Sequence, residues 1–479
     1  SVSVSDIKKS SAVNLSTALQ GRITGLSTWQ SGGGQPGRDT STMYLRGVAT
    51  LNGASPLVLI DGVAYQKFDM NRLDPNEVEN VSVLKDASAT AIFGVRGANG
   101  VIIINTRHGK SGKPELSVSV DQSFTSFSRR DSRLHSWDFM KYRNEALAND
   151  GSDPEFSDEE IEKFKNPLHG LDKTDENYAQ EVAYRNYLYC DHYWVKEFFK
   201  DSTPQTKVNV NFSGGSDRFD YFINANYIHQ GGNLKTESKD DLGYDSSSWM
   251  NRWNFRSNMG YKVTNSLKAT LNIGTYFQTW NQPGATSEGY GGDTAWMMRD
   301  LFYQAEIMRP FQAGPTVFPG MGIATGTMVF PDHMDRSAFL VMNRSGFWRS
   351  TTVNLTAQFA LDWDLGKLVT PGLSLRGMVS YDEYGTLAKG GNKSEEDYYF
   401  RPDYNSDSFE FALHTASPSA LSLWTSTASN YSINAQASLN YHRTFGKVHD
   451  VSAMLLGQRD FWESGSAIPY NVIGLSGRA

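Results

Sequence analysis

The chain has 479 residues, 39% hydrophobic and 20% charged, with a mean hydropathy of −0.47, and no stretch approaches the roughly 20 apolar residues that a membrane helix needs. A net charge of −7 with scattered basic residues excludes the cationic footprint of a nucleic-acid-binding protein. A membrane β-barrel survives this filter, because it needs apolar residues only at alternate strand positions, and 13% aromatics with 43 glycines suit its girdles and turns.

Ser1 to Lys9 is polar, with weak alternation at Val2 and Val4, and reads as an extended lead-in. No signal-peptide pattern opens it, so the chain is expected to begin inside a processed protein. Within Ser10 to Gly25, Leu15 and Leu19 share one face of a short helix, with Asn14 or Ser16 as candidate cap and Gly21 as its stop. Ser31 to Asp39 is a glycine-rich loop. Met43 to Val48 and Leu57 to Ile60 are predicted strands, Asp61-Gly62 a tight turn, and Tyr65 to Arg72 a loop ending before Asp74-Pro75. Two β-branched runs, Val81 to Leu84 and Val101 to Ile104, then bracket Asp86 to Phe93, which reads as a turn or two of helix capped by Asp86. Gly94, Gly97 and Gly100 lead into the second strand. Phosphate-binding loops place their glycines after a strand and before a helix; here the order is reversed, so no nucleotide site is expected.

From Leu116 the texture changes to a period of two. Leu116, Val118 and Val120 alternate with Ser117, Ser119 and Asp121, and Val208, Val210 and Phe212 with Asn209, Asn211 and Ser213. The pattern recurs over residues 221–227, 253–261, 267–273, 353–362, 373–380, 431–441 and 451–455, giving about nine strands, with Asn471 to Arg478 as the start of another. Short turns (Gly214 to Arg218, Lys262 to Ser266, Gly366 to Gly372, Gly446 to Asp450) alternate with long links at 129–205, 231–248, 281–349 and 385–430. Amphipathic strands alone also fit a soluble sandwich; strict short-long alternation favours a barrel with turns at one rim and loops at the other. Tyr261, Trp280, Trp363, Tyr381, Tyr384, Tyr441 and Phe445 fall near strand ends, where interfacial belts lie.

In the first long link, Trp137 to Ala148 is a helical candidate, and Ser157-Asp158-Glu159-Glu160 is a capping box opening another. The acidic run Asp150 to Glu162 lacks calcium-loop spacing and reads as a solvated face. Cys190, the single cysteine, has Asp191 and His192 beside it, yet no nucleophile context surrounds it and it reads as an incidental thiol. Catalytic and metal motifs are not found, so no enzyme activity, metal or cofactor is expected.

Four blocks in one order, LQGRITGL (Leu19 to Leu26), SGGGQPGRD (Ser31 to Asp39), YLRGVATLNGASPLVLIDGV (Tyr44 to Val63) and LKDASATAIFGVRGANGVIIINTRHGK (Leu84 to Lys110), resemble the plug domain of the SusC/RagA family of TonB-dependent outer-membrane transporters. The resemblance implies an α/β plug at residues 10–112 inside a transmembrane antiparallel β-barrel of about 22 strands when complete. Residues 1–9 then follow the TonB-contacting segment, and 116–479 form the N-terminal part of the barrel, whose closure needs further strands because no open edge is stable in lipid. It further implies TonB-dependent import of oligosaccharides, or in some members oligopeptides, across a Bacteroidetes-type outer membrane. The implied partners are a SusD-like surface lipoprotein acting as a lid, the TonB-ExbB-ExbD complex, and a second transporter-lipoprotein pair. Apical plug loops in such a barrel meet a wet lumen, which makes Arg38, Asp39, Tyr65, Lys67, Phe68 and Asp69 the candidate substrate-binding residues. Loops 231–248 and 281–349 face ligand or lid. Competing readings are a soluble β-rich binding or adhesion protein, which would extract without detergent, a siderophore or cobalamin receptor, against which the plug wording argues, and a surface glycosidase, for which no carboxylate pair stands out.

Overall fold

A computed structural model describes residues 2–3, 7, 12–30, 36–37, 40–45, 47, 55–64, 70–85, 97–127, 134–284, 327–331, 338–415, 417–446, 448–465 and 468–478. The first unit comprises β1 (Val2–Ser3), α1 (Leu15–Ala18), β2 (Leu26–Gln30), β3 (Ser41–Leu45), β4 (Leu57–Ile60), β5 (Val78–Leu84) and β6 (Val101–Thr106). Its sheet runs β1-β5-β6-β4, with β4 parallel to β6 and the other pairs antiparallel, while β2 and β3 pair separately. In β6, Val101, Ile102 and Ile104 are all buried, as a central strand requires when both faces are covered, and Ile102 and Ile104 pack with Leu15, Leu19, Leu73 and Val81. The Asp61-Gly62 turn forms as expected, with φ of 49° and 85° at the two positions. Asp61 tolerates that conformation and ties the turn to β6, its carboxylate accepting from the Thr106 amide (2.8 Å) and hydroxyl (2.7 Å).

Neither proposed cap closes α1. Asn14 stands at the N-cap position without a side-chain capping bond, and its Oδ1 accepts from Arg252 Nη2 at 3.0 Å. The Ser16 hydroxyl accepts from the Ser41 amide at 2.9 Å. Tertiary partners have taken both groups from a helix too short to compete for them. The predicted helix at Asp86 to Phe93 lies outside the described residues.

The remainder contains β7 (Gly112–Thr125), α2 (Ser136–Asn149), α3 (Asp158–Lys165), α4 (Tyr178–Leu188), α5 (Trp194–Phe198), β8 (Thr203–Gly215), β9 (Phe219–Gly231), α6 (Lys239–Leu242), β10 (Trp249–Lys262), β11 (Leu267–Pro283), β12 (Met328–Pro331), α7 (Ala338–Arg344), β13 (Gly346–Asp364), β14 (Leu373–Ser394), β15 (Asp397–Asp403), β16 (Ser408–Thr415), β17 (Ser419–Phe445), β18 (His449–Ser464) and β19 (Tyr470–Arg478). Ten strands pair antiparallel in chain order, β7-β8-β9-β10-β11-β13-β14-β17-β18-β19, and the segment expected to start a further strand is β19. The four short turns join successive strands at one rim.

Burial along these strands is the reverse of a soluble sandwich. Val118, Trp253 and Val379 are 60%, 55% and 52% exposed, whereas Asn224, Asn258 and Asn354 on the opposite row are 0%, 0% and 2% exposed. One face is therefore aliphatic and aromatic toward the surroundings, and the other is amide-rich toward the plug. This excludes the sandwich alternative, whose apolar rows would meet across a dry core.

Two long links differ from the expected outline. The link placed at 385–430 is shorter, because β14 and β17 stay paired from Gly385↔Ser429 to Asn392↔Ser422, leaving 395–418 to carry β15 and β16. That extension is rich in glycine and small polar residues, with Leu387, Leu421, Leu423 and Trp424 as its few large apolar side chains, so it lacks the sustained alternation that marks a strand with one greasy side. The first link, with two helices expected, holds four among its described residues. The capping box forms as read: Glu160 N–H donates to the Ser157 hydroxyl, and Ser157 N–H to Glu160 Oε2 at 2.6 Å.

Candidate functional site

All six candidate substrate residues, Arg38, Asp39, Tyr65, Lys67, Phe68 and Asp69, lie outside the described residues. The described residues flanking them are held against the wall. Gly37 N–H donates to Gln230 Oε1 of β9 at 3.0 Å, and Val63 packs on Ala360 and Met378 of β13 and β14.

The densest polar contact between plug and wall follows β10. Its inward row is Arg252, Asn254, Arg256 and Asn258, each nearly or wholly buried. Arg252 donates to the carbonyls of Val13 and Asn71 and to Asn14. Asn254 donates to the Arg72 carbonyl (2.6 Å), Arg256 Nε to Glu77 Oε2 (2.7 Å), and Asn258 to the Thr106 hydroxyl (2.8 Å) and the Arg107 carbonyl (2.7 Å). From the adjoining strands, Asn226 donates to Asp74 Oδ2 at 2.6 Å and Lys207 to the Ala12 carbonyl at 2.7 Å. Where the chain leaves the plug, Gly109 lies so close to β9 that a Cβ would stand 2.2 Å from the Tyr221 amide nitrogen; only glycine fits.

Burial dominates the electrostatics of this seam. It pushes the Glu77 carboxyl above the ordinary range despite Arg256 alongside, and Glu77 Oε1 is buried without a hydrogen-bond partner. Burial likewise raises Asp74 against the opposing pull of Asn76, Lys207 and Arg252. Beside this bonded arc, a polar cleft of about 480 Å³ separates the plug from β11, β13 and β14, lined among others by Asp61, Asn105, His108, Gln358 and Arg376. Among the described residues, apolar contact across the interface is confined to small groups such as Val13 with Ile228 and Met250. Such an interface can exchange its partners for water without exposing much greasy surface.

At the opposite rim from the short turns, the long links pack on one another. Met140, Ile161, Phe164, Leu188 and Tyr189 from the first link form one core with Val329, Phe400 and Phe409 from β12, β15 and β16. Asp407, in the β15–β16 turn at φ 48°, accepts from Lys163 Nζ at 2.7 Å and from the Tyr189 hydroxyl. Burial alone would raise its carboxyl, but Lys163 and Tyr189 outweigh that and hold it below the ordinary range. Arg344 joins two further links, gripping Glu237 through Nε (2.7 Å) and Nη2 (2.6 Å) and Glu395 through Nη1 (3.1 Å).

Residues 1–101 match the TonB-dependent Receptor Plug Domain family. TonB-dependent receptor P26 of Formosa agariphila is 27% identical over 311 residues, covering 64% of this chain and 27% of that protein. TonB-dependent receptor SusC of Bacteroides thetaiotaomicron is 29% identical over 242 residues, 49% of this chain and 21% of its own length. In structure, the RagAB peptide importer in its closed-closed state superposes with a TM-score of 0.68 at 16% identity over 99% of this chain and 51% of that one. Residues 1–101 are therefore a TonB-dependent receptor plug domain, and the chain is similar over about half of its length to SusC and in fold to RagAB. It therefore spans about half of the RagAB chain it superposes on, and its alignments reach roughly a quarter of the curated receptors. The ten paired strands among the described residues superpose on part of the RagAB chain, with the plug against their inward face. Sequence reasoning placed Asn254, Arg256 and Asn258 on the polar side of a strand but missed Arg252 and the plug partners of the whole row. Its available signal was two arginines four apart on one inward row, more charge than a lumen lining needs unless something buried answers it.

Proposed function

We propose that this receptor is the plug-bearing part of an energised outer-membrane importer that takes up oligosaccharides, with residues 10–112 as plug and residues from 116 onward as barrel wall. The observation that carries the reading is a plug held by replaceable polar bonds inside a wall whose outer face is greasy and whose inner face is amide-rich. In this reading the long-loop rim faces the medium, a SusD-like lipoprotein closes over it, and the loops bearing Arg38, Asp39, Tyr65, Lys67, Phe68 and Asp69 meet the cargo. A pull from TonB on the segment before the plug reaches β5 through Val2↔Val81 and Ser3↔Asn80, and opens a route when the polar seam along β10 yields to water. The protein's work is binding and passage, so no side chain is assigned a chemical step.

An oligopeptide cargo is the second reading, supported by the superposition on a receptor described as a peptide importer. Uptake of labelled oligosaccharides and peptides by cells with and without TonB tests both. TonB-dependent uptake of the sugars alone supports the first, and of the peptides alone the second. Accumulation that ignores TonB overturns the importer. Purification in detergent should bring a lipoprotein along with the full-length receptor.

A further inference from the structure

The packed links at the long-loop rim contain a half-open cleft of about 430 Å³, lined by Trp137, Asn186, Tyr187, Tyr189, Asp191 and His192 together with residues of α3. We propose that this cleft is an oligosaccharide-binding subsite, separate from the lumen, that captures cargo at the outer rim. The assignment rests on the import reading in one respect, that this rim faces the medium.

Three observations carry it. The aromatic walls are rigid before any ligand arrives. Trp137 stacks on His135 at 4.3 Å and 8°, and His135 Nδ1 is fixed by Asp191 Oδ2 at 2.8 Å. Tyr189, 3% exposed and tied through its hydroxyl to Asp407, backs the cleft from the core. Tyr187 stands edge-on to Phe400 at 5.7 Å, which leaves Trp137 and Tyr187 as the partly exposed rings. Pre-set ring faces bind without the ordering cost that flexible side chains incur.

Planar polar groups, moreover, stand at the edge of those rings. Asn186 is exposed, and the side chains of Asp191 and His192 retain 19% and 28% exposure. Asp191 is spent on the frame, accepting from His135 and from the Ser136 amide (3.0 Å). That leaves the Asn186 amide and the His192 imidazole beside the aromatic faces to match a sugar ring, which offers a C–H face to stack and neighbouring hydroxyls to bond.

The backbone around the cleft argues against a peptide. Trp137, Phe164, Ala183, Asn186 and Tyr187 sit within α2, α3 and α4 and not in extended backbone. No strand edge borders the cleft among the described residues, so an extended peptide finds none of the main-chain partners by which strand addition reads it. The volume lies in the range of small-ligand sites and is too small to seat the surface of a folded partner.

The test uses the full-length receptor in detergent on an array of neutral gluco-, xylo-, manno-, galacto- and fructo-oligosaccharides, followed by calorimetric titration of the best binder. The titration is made in a background carrying Asp39→Ala, Lys67→Ala and Asp69→Ala, so that lumen contacts are weakened. Asn186→Ala with His192→Ala should weaken binding at least tenfold at unchanged melting temperature, while Lys173→Ala, elsewhere in the same link, should leave it within twofold. Absence of binding across the array, a double variant that binds within twofold of its parent, or a peptide array responding in place of the sugars overturns the subsite. Uptake with and without TonB is scored separately: cleft binding that persists where TonB-dependent uptake is absent overturns the import reading and leaves the subsite standing.

Discussion

The Arg256–Glu77 pair is the contact whose removal should most weaken the hold of the wall on the plug. Its two side chains are 6% and 2% exposed and meet at 2.7 Å, so removing one partner strands a charge where water cannot reach it. Glu77→Gln leaves a buried guanidinium that cannot shed its proton, and costs about 3–5 kcal/mol of plug docking, roughly two to three and a half decades in the docked population. Arg256→Met differs, because the carboxyl left behind is already pushed upward by burial and can enter as the neutral acid. With a folded-state pKa raised above the unfolded value, the penalty is absent below the unfolded pKa. It grows as pH rises toward the folded pKa and is constant beyond it. Arg256→Met should therefore cost markedly less at pH 5 than at pH 8. Replacing both, Arg256→Met with Glu77→Leu, should cost less than the sum of the single changes. Pulse proteolysis of the plug in urea, on the full-length receptor in detergent, reads all of these. Equal penalties with no dependence on pH would refute the argument that burial controls this pair.

Asn258→Ala removes the donor to the Thr106 hydroxyl and the Arg107 carbonyl and should weaken docking by about 1–3 kcal/mol in the same proteolysis assay. On the outer face, Val379→Arg should destabilise folding into lipid bilayers by about 2–4 kcal/mol in urea titration if that row meets hydrocarbon, and by almost nothing if it meets water. At the loop rim, Asp407→Ala should speed amide exchange in α4 by breaking the Lys163 and Tyr189 contacts, and Asp407→Asn, which tolerates the left-handed backbone, should do so less. The lowered Asp407 carboxyl makes that contact complete above the ordinary carboxylate range and lost as pH falls through the folded-state pKa, so α4 exchange, corrected for the intrinsic rate, should rise in acid.

The strands were legible because their signal is local. Val118 and Ser119 point to opposite faces whatever lies beyond them, and a greasy row paired with an amide row implies two different solvents on the two sides. The capping box at Ser157 and the Asp61-Gly62 turn were readable for the same reason, since their partners lie within a few residues. The paired extension of β14 and β17 was not, because glycines and small polar residues dominate there and the few large apolar side chains make no sustained alternation.

By itself, the order of residues determined the alternation, the short turns and the wording of the plug. Only the tertiary structure decided that Arg256 would answer Glu77 across 179 residues of sequence, that Asn14 would serve Arg252 in place of its own helix, and that three separate links would share one aromatic core. Periodicity reports which way a side chain points. It carries no information on what stands opposite, because that depends on how distant segments are brought together, and buried polar groups accept whichever partner the assembled chain supplies.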